Sequence, residues 1–312
     1  MSNNKNIAVI DLGSNLTKLV IANGSLPLTV IHRSIYNTKT LKNAPKGEFD
    51  QDSIVLIERD IASILEVIKD FQCHTVLGIA TSAFRTRKNG QEVIDHINSK
   101  FQTSIQIISG DQEAQLVFDG AMACVSSTKK PVLVMDIGGG STEFIIGNDQ
   151  GILWKHSFDL GSTAITKWTD LQNPLTSANL ELLQTNLSKV FISLLEAIKI
   201  HNPVSFIGTT GAFESFAQML SFQNGISESV DSGHEFNPSQ LEDILDTLIA
   251  STSQERKTMN GVHPLRYDTI HLAAVIFQYI FKNTKFEGYL LSLGDVKEGL
   301  IVDFLNSNYA NH

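Results

Sequence analysis

The chain has 312 residues, 42% of them hydrophobic and 18% charged, a composition that excludes a disordered, charge-rich protein. Its 21 glycines and 7 prolines likewise exclude collagen-like and proline-rich classes. With 24 basic and 33 acidic residues the net charge is −9, a poor match to a general nucleic-acid binder but compatible with an anionic substrate held in a local basic pocket.

In chain order, residues 7–10 are a short apolar run, DLGSN follows, and apolar stretches come at 16–22 and 28–35. These read as three successive strands with a tight glycine-containing turn after the first. Residues 52–71 carry Ile54, Ile57, Ile61, Ile64, Leu65 and Ile68 at helical spacing. A strand at 75–80, a helix at 89–100, a strand at 104–108 and a helix at 111–125 capped by Asp111 complete the first half. SSTKKP at 126–131 breaks the pattern and sets the expected boundary between domains 1–125 and 126–312. The opening is then repeated in kind: an apolar run at 132–135, DIGGGST, and strands at 143–147 and 151–158. The aspartate of the second turn, Asp136, lies 125 residues after Asp11, so a duplicated architecture is expected. Beyond it come a long helix at 177–201, a strand at 204–208 and a helix at 211–220. Asn237 and Pro238 open another helix as cap and first residue. Helices at 266–282 and 296–307 flank a strand at 289–293.

The one apolar run before Asp11 is four residues long, too short for the core of a signal peptide. The longest apolar stretch, 272–281, is interrupted by Gln278 and falls short of the ~20 residues of a membrane span. Cys73 and Cys124 show neither zinc-type spacing nor a disulfide framework. A soluble, cytoplasmic protein with free thiols and no membrane partner is expected.

A carboxylate at a strand end followed by a glycine turn suits phosphate and metal. Glycine lets backbone N–H groups approach an oxyanion, and the aspartate offers a hard oxygen ligand. In the first turn the candidates are Asp11, Gly13, Ser14 and Asn15. In the second they are Asp136, Gly138, Gly139, Gly140, Ser141, Thr142 and Glu143. A plain β-hairpin accounts for DLGSN as well as a phosphate loop does, whereas three glycines flanked by carboxylates exceed what a turn needs. Neither a Walker A loop nor a dinucleotide fingerprint is present. TSAFRTRKN, beginning at Thr81 and Ser82, places Arg85, Arg87 and Lys88 after a strand, where an arginine fork suits phosphate oxygens and where a solvated basic turn is the alternative. Glu113 falls in the first turn of a helix, as a dipole-favoured acid or as a general base that takes a proton from water. Gly208, Thr209, Thr210 and Gly211 join a strand to a helix, as an ordinary cap or a second phosphate cradle. No Ser/His/Asp triad follows from the histidine spacing.

Taken together, VIDLGSN, ATSAFRTRKN, ISGDQEAQLVFDG, MDIGGGSTE and GTTGAF resemble the motifs of the exopolyphosphatase/guanosine pentaphosphate phosphohydrolase (Ppx/GppA) family, within the actin–Hsp70–sugar kinase superfamily. The likeness runs from Ile7 to about Leu300. It implies an α/β fold of two ribonuclease-H-like (actin-like ATPase) domains, with mixed sheets flanking a central cleft. It implies that Glu113 is the catalytic glutamate and Arg85 the phosphate-binding arginine. Asp136 and Glu143, with Asp11, would hold Mg²⁺ directly or through water, and the terminal phosphoryl would sit between the two glycine loops. The implied reaction is hydrolysis of a terminal phosphoanhydride without a covalent intermediate. The substrate would be inorganic polyphosphate or, as the alternative, guanosine pentaphosphate; the rivals are an ATP-binding kinase or assembly protein and a non-hydrolysing sensor. Family members are often dimers, so a homodimer is an expectation. The chain departs from the family at Ala212, where a threonine is usual, and at GDVKEG (294–299), where the family reads G-L-R-E-G. Lys297 stands there in place of arginine as a phosphate-binding candidate, keeping the charge but losing the bidentate fork. Many members also continue into helical domains beyond the point where this chain ends, so strong processive binding of long chains is not expected.

Overall fold

The computed structural model describes residues 5–38, 47–126, 128–209, 211–226 and 229–309. Contacts divide the chain into two compact units, Met1–Ala123 with Asp295–His312, and Cys124–Gly294.

The first unit begins with β1 (Ile7–Leu12), β2 (Thr17–Ala22), β3 (Val30–Tyr36), α1 (Gln51–Asp70), β4 (Thr75–Ala80), α2 (Ser82–Thr86), α3 (Gly90–Phe101), β5 (Ile105–Ile107) and α4 (Gly110–Ala123). Its sheet has the order β3-β2-β1-β4-β5, with β1–β3 antiparallel and β4 and β5 parallel to β1. Every residue of β1 is buried, because both faces of the sheet are covered. Ala8, Ile10 and Leu12 alternate into a core shared with Ile57, Ile61, Ile64 and Ile68 of α1. Ile7 and Val9 pack on the opposite face with Ile301 and Leu305. The α1 periodicity of the sequence is thus the face that meets the sheet, and Asp50 caps the helix by accepting the Ser53 N–H at 2.9 Å.

The second unit contains β6 (Val132–Ile137), β7 (Thr142–Asn148), β8 (Gly151–Phe158), α5 (Ser177–Val190), α6 (Ile192–His201), β9 (Ser205–Thr209), α7 (Ala212–Gln223), α8 (Pro238–Ala250), α9 (Ser253–Arg256), α10 (Ile270–Asn283) and β10 (Gly288–Ser292). The order β8-β7-β6-β9-β10 repeats that of the first unit strand for strand. The expected α/β fold of two mixed, ribonuclease-H-like sheets is therefore what the chain forms. Registers repeat as well: Asp11 opposes Lys18 and Asp136 opposes Glu143, both pairs displaced by the same 125 positions. A core rich in phenylalanine fills this unit, with Phe206 and Phe277 at 4.9 Å between ring centroids.

Four features differ from the sequence expectation. The helix expected at 111–125 begins at Gly110, and its cap is Ser109 rather than Asp111. Ser109 Oγ accepts the Gln112 N–H at 3.1 Å, and Gln112 Oε1 accepts the Ser109 N–H at 2.9 Å, a reciprocal capping box. The segment after β4, for which no helix was expected, holds the short helix α2. The helix expected at 177–201 is interrupted at Phe191, which is wedged between Phe144 and Phe158 at 5.3 and 5.1 Å. Finally, the last helix, α11 (Val296–Tyr309), packs in the first unit although 126–312 was expected to be one domain. Small residues permit this: a Cβ at Gly120 would lie 2.0 Å from the Asp295 carbonyl oxygen, and one at Gly299 would lie 1.8 Å from that of Leu116. Gly299→Ala should therefore cost about 3 kcal/mol and lower Tm by roughly 10 °C. Thermal unfolding followed by circular dichroism measures this, and an unchanged Tm would refute the backbone contact between α4 and α11.

As expected, Asn237 caps α8, its Oδ1 accepting from the Ser239 and Gln240 N–H groups. Among the described residues Cys73 and Cys124 are not joined in a disulfide. Among the described residues no helix is long and apolar enough to cross a membrane.

Candidate active site

In the first unit, parallel pairing sets the ends of three strands side by side: Leu12 against Ala80, and Ala80 against Ile107. Carboxyl ends of parallel strands are where such sheets place ligands. The three segments that leave this edge carry the candidate residues. The loop after β1 holds Gly13, Ser14 and Asn15. It is closed by the Gly13 N–H donating to the Leu16 carbonyl at 3.1 Å. A Cβ at Gly13 would stand 2.8 Å from that carbonyl oxygen, so the turn requires glycine. The segment after β4 begins at Thr81, whose N–H donates to the Leu12 carbonyl at 3.2 Å and ties it to the first loop. Thr81 and Ser82 are buried, and α2 carries Arg85 at its far end. The segment after β5 runs through the Ser109 capping box into α4, with Glu113 buried in the first turn.

These elements bring Arg85 and Glu113 together. Arg85 Nη1 donates to Glu113 Oε2 at 2.8 Å and to the Ile108 carbonyl at 3.0 Å. Arg85 Nη2 is buried and has no hydrogen-bond partner among the described residues. A buried donor with no acceptor costs free energy unless something supplies one, and an anionic oxygen suits it best.

Asp11, at the end of β1, is 4% exposed, and its Oδ1 also lacks a hydrogen-bond partner among the described residues. Burial pushes its carboxyl above the usual range, Lys18 and Lys297 pull it back, and Asp295 adds to the rise. Lys18 Nζ lies 3.9 Å from Asp11 Oδ2 and 3.5 Å from Asp295 Oδ2. Lys297 Nζ is held by both carboxylate oxygens of Asp295. Lys18 and Glu298 were not singled out from the sequence, and Asp295 stood out only as part of the GDVKEG departure. Only the cross-strand register of Lys18 opposite Asp11 and the D-x-x-E spacing of a capping box hint at them.

In the second unit the glycine loop repeats the closure of the first, the Gly138 N–H donating to the Ser141 carbonyl at 3.0 Å. It is braced by 161–164: the Ser162 N–H donates to the Gly138 carbonyl, and those of Thr163 and Ala164 to the Gly139 carbonyl, each at 2.9 Å. That brace escaped the sequence reading. Gly140 and Ser141 are buried in the loop. Two expected phosphate-binding hydroxyls are turned to the fold instead. Thr142 Oγ1 donates to the Leu160 carbonyl, and Thr209 Oγ1 to that of Met135 at 3.5 Å, both from fully buried side chains. Gly208 ends within β9, Thr210 lies outside the described residues, and Gly211 adopts φ +64° with the Arg266 guanidinium 3.1 Å from where its Cβ would be. Arg266 is a second basic group beside a strand-end loop, again invisible in the sequence.

Asp136 and Glu143 are directly opposed on β6 and β7, hence on one face of the sheet. Glu143 is 1% exposed, and its Oε1 accepts from Ser157 Oγ at 2.7 Å. Opposed carboxylates repel unless a cation or a proton lies between them. Among the described residues no group of three or more His, Cys, Asp or Glu is placed to hold a metal. A two-carboxylate donor set fits Mg²⁺, which keeps several waters and takes the rest of its shell from phosphate oxygens.

Two α/β units of one topology, each with a glycine loop after its first strand and charged side chains at the adjoining strand ends, define a phosphoryl-binding protein built by duplication. The model of the Ppx/GppA phosphatase family matches residues 19–308, and the chain belongs to that family. A crystal structure of an exopolyphosphatase from Cytophaga hutchinsonii is 26% identical, with a TM-score of 0.92 over 97% of this chain and 98% of that one. Exopolyphosphatase 2 of Mycobacterium tuberculosis is 22% identical over 290 residues, 89% of this chain and 91% of that protein. The guanosine-5'-triphosphate,3'-diphosphate pyrophosphatase of Aeromonas salmonicida is 23% identical over 313 residues, which span 99% of this chain and 61% of that protein.

Proposed function

We propose that this protein is a Mg²⁺-dependent exopolyphosphatase that hydrolyses the terminal phosphoanhydride of inorganic polyphosphate and releases orthophosphate. The observation that carries the reading is the Arg85–Glu113 pair, seated at the strand ends beside the first glycine loop with one buried Arg85 N–H group unpartnered. Glu113 orients the attacking water and takes its proton. Arg85 keeps Glu113 in place through Nη1 and offers Nη2 to an equatorial phosphoryl oxygen, where charge must be neutralised in phosphoryl transfer. Backbone N–H groups of Ser14 and Asn15 contribute to the same task, in a turn held by the Gly13 N–H. Asp136 and Glu143 would hold Mg²⁺, which when bound neutralises phosphate charge. The exopolyphosphatase names of the Cytophaga and Mycobacterium relatives support polyphosphate. The Aeromonas relative, matched along almost the whole of this chain, supports guanosine pentaphosphate as the second reading.

The test is phosphate release with Mg²⁺ from tripolyphosphate, long polyphosphate, guanosine pentaphosphate and ATP in parallel. Release from the polyphosphates is expected. Release confined to guanosine pentaphosphate would assign the same site to the second reading. No release from any of the four by a folded protein would overturn both.

A further inference from the structure

Asp11, Lys18, Arg33, Asp295, Lys297 and Glu298 form one chain of charges in the first unit. Glu298 Oε1 accepts from Arg33 Nη1, and Glu298 Oε2 accepts the Asp295 N–H at 2.9 Å. Asp295 Oδ1 accepts the Lys297 N–H at 3.0 Å, and its carboxylate takes both Lys297 Nζ and Lys18 Nζ. Three cations face three carboxylates, so the cluster is neutral when all are ionised. Asp295 and Glu298 are fully buried and Lys297 is 3% exposed, whereas the Lys18 side chain keeps 21% of its surface. Lys18 is therefore a route by which the cluster's charge can act on a ligand beside Asp11.

Asp295 does more than start a helix. Its capping role needs only a neutral acceptor, which serine or asparagine supplies equally well. Its negative charge serves a different purpose: it occupies two ammonium groups next to the first glycine loop. With Lys297 in the place of the family's arginine, the first glycine of G-L-R-E-G falls on Asp295, and a glycine there offers no carboxylate.

We propose that Asp295 is a specificity-determining residue, a built-in counter-ion that withholds Lys18 and Lys297 from substrate oxyanions and so limits the preference for long, highly charged phosphate chains over short ones. This rests on the phosphoanhydride-hydrolase reading of the first loop. With Asp295 present the loop has no surplus of cations, so affinity rises little with each added phosphate and responds little to salt.

The experiment uses the full chain and measures binding as well as turnover. Tripolyphosphate and a long polyphosphate are titrated calorimetrically into the native protein, Asp295→Asn and Asp295→Asn/Lys297→Met, at low salt and at high salt. Asp295→Asn should bind tripolyphosphate about tenfold tighter at low salt, with a larger gain for the long chain and most of it lost at high salt. The double variant, which removes one charge of each sign, should return most of that gain. KM should fall in parallel in Asp295→Asn. If Asp295→Asn does not fold, Asp295→Ser keeps the cap and poses the same question. Native binding with no tightening in the variants, even beside a lowered Tm, would overturn the proposal and leave the hydrolase reading standing. Absence of binding and turnover in every form would sink both.

Discussion

Glu113→Gln is expected to lower kcat on tripolyphosphate by about a thousandfold while leaving tripolyphosphate binding close to native. Glutamine is the informative replacement because its side-chain oxygen can still accept from Arg85 Nη1, the contact that spans 2.8 Å in the native protein. The Arg85 guanidinium and the first turn of α4 then keep their places, and what is lost is the capacity to take a proton from water. Binding should survive because the phosphate donors are other groups: the loop N–H groups after β1 and the unpartnered Nη2 of Arg85. Single-turnover phosphate release with calorimetric binding alongside separates the two effects. A kcat within about tenfold of native would remove Glu113 from the role of base. Loss of binding together with turnover would show instead that Glu113 acts by holding Arg85.

Why this pair was partly legible in the sequence, and the charge cluster only through its members Asp11 and Lys297, comes down to what each depends on. The strands and their order follow from local signals: apolar runs broken by Asp-x-Gly, repeated at an offset of 125 residues. The helix α1 announces itself by isoleucines at spacings of three and four. By contrast α2 has five residues, too few for any periodicity, so the sequence places Arg85 after a strand without a helix to carry it. Glu113 could be assigned as base only through resemblance, since its partner lies 28 positions away and meets it only because β4 and β5 are neighbours. The Asp295–Lys297–Lys18 contacts depend on α11 returning to the first unit. That return is written in Gly120 and Gly299, and a glycine needed for close helix packing looks in sequence like any other glycine. The orientation of the Thr142 and Thr209 hydroxyls was not legible for the converse reason. Local sequence marks a hydroxyl near a glycine loop, but the fold turned both toward main-chain carbonyls.

The duplication itself sets up the last expectation, because the two units place opposite chemistry at equivalent positions. Asp11 faces Lys18 across β1 and β2, a carboxylate opposite an ammonium group 3.9 Å away. Asp136 faces Glu143 across β6 and β7, two carboxylates with Ser157 donating to one of them. Glu143→Gln should therefore raise the Mg²⁺ concentration needed for half-maximal phosphate release by at least about a hundredfold, and Ser157→Ala, which removes only the supporting hydrogen bond, by about tenfold. Binding of Mn²⁺ in its place, followed by electron paramagnetic resonance, gives the same comparison without turnover. The sign of the metal-free stability change distinguishes a metal site from a structural hydrogen bond. Removing one of two opposed negative charges relieves repulsion, so without divalent metal Glu143→Gln should melt at or above the native temperature. Were the Glu143–Ser157 contact there only to hold the sheet together, Ser157→Ala would melt lower while neither variant changed metal demand, and Asp136 and Glu143 would have to be withdrawn as ligands.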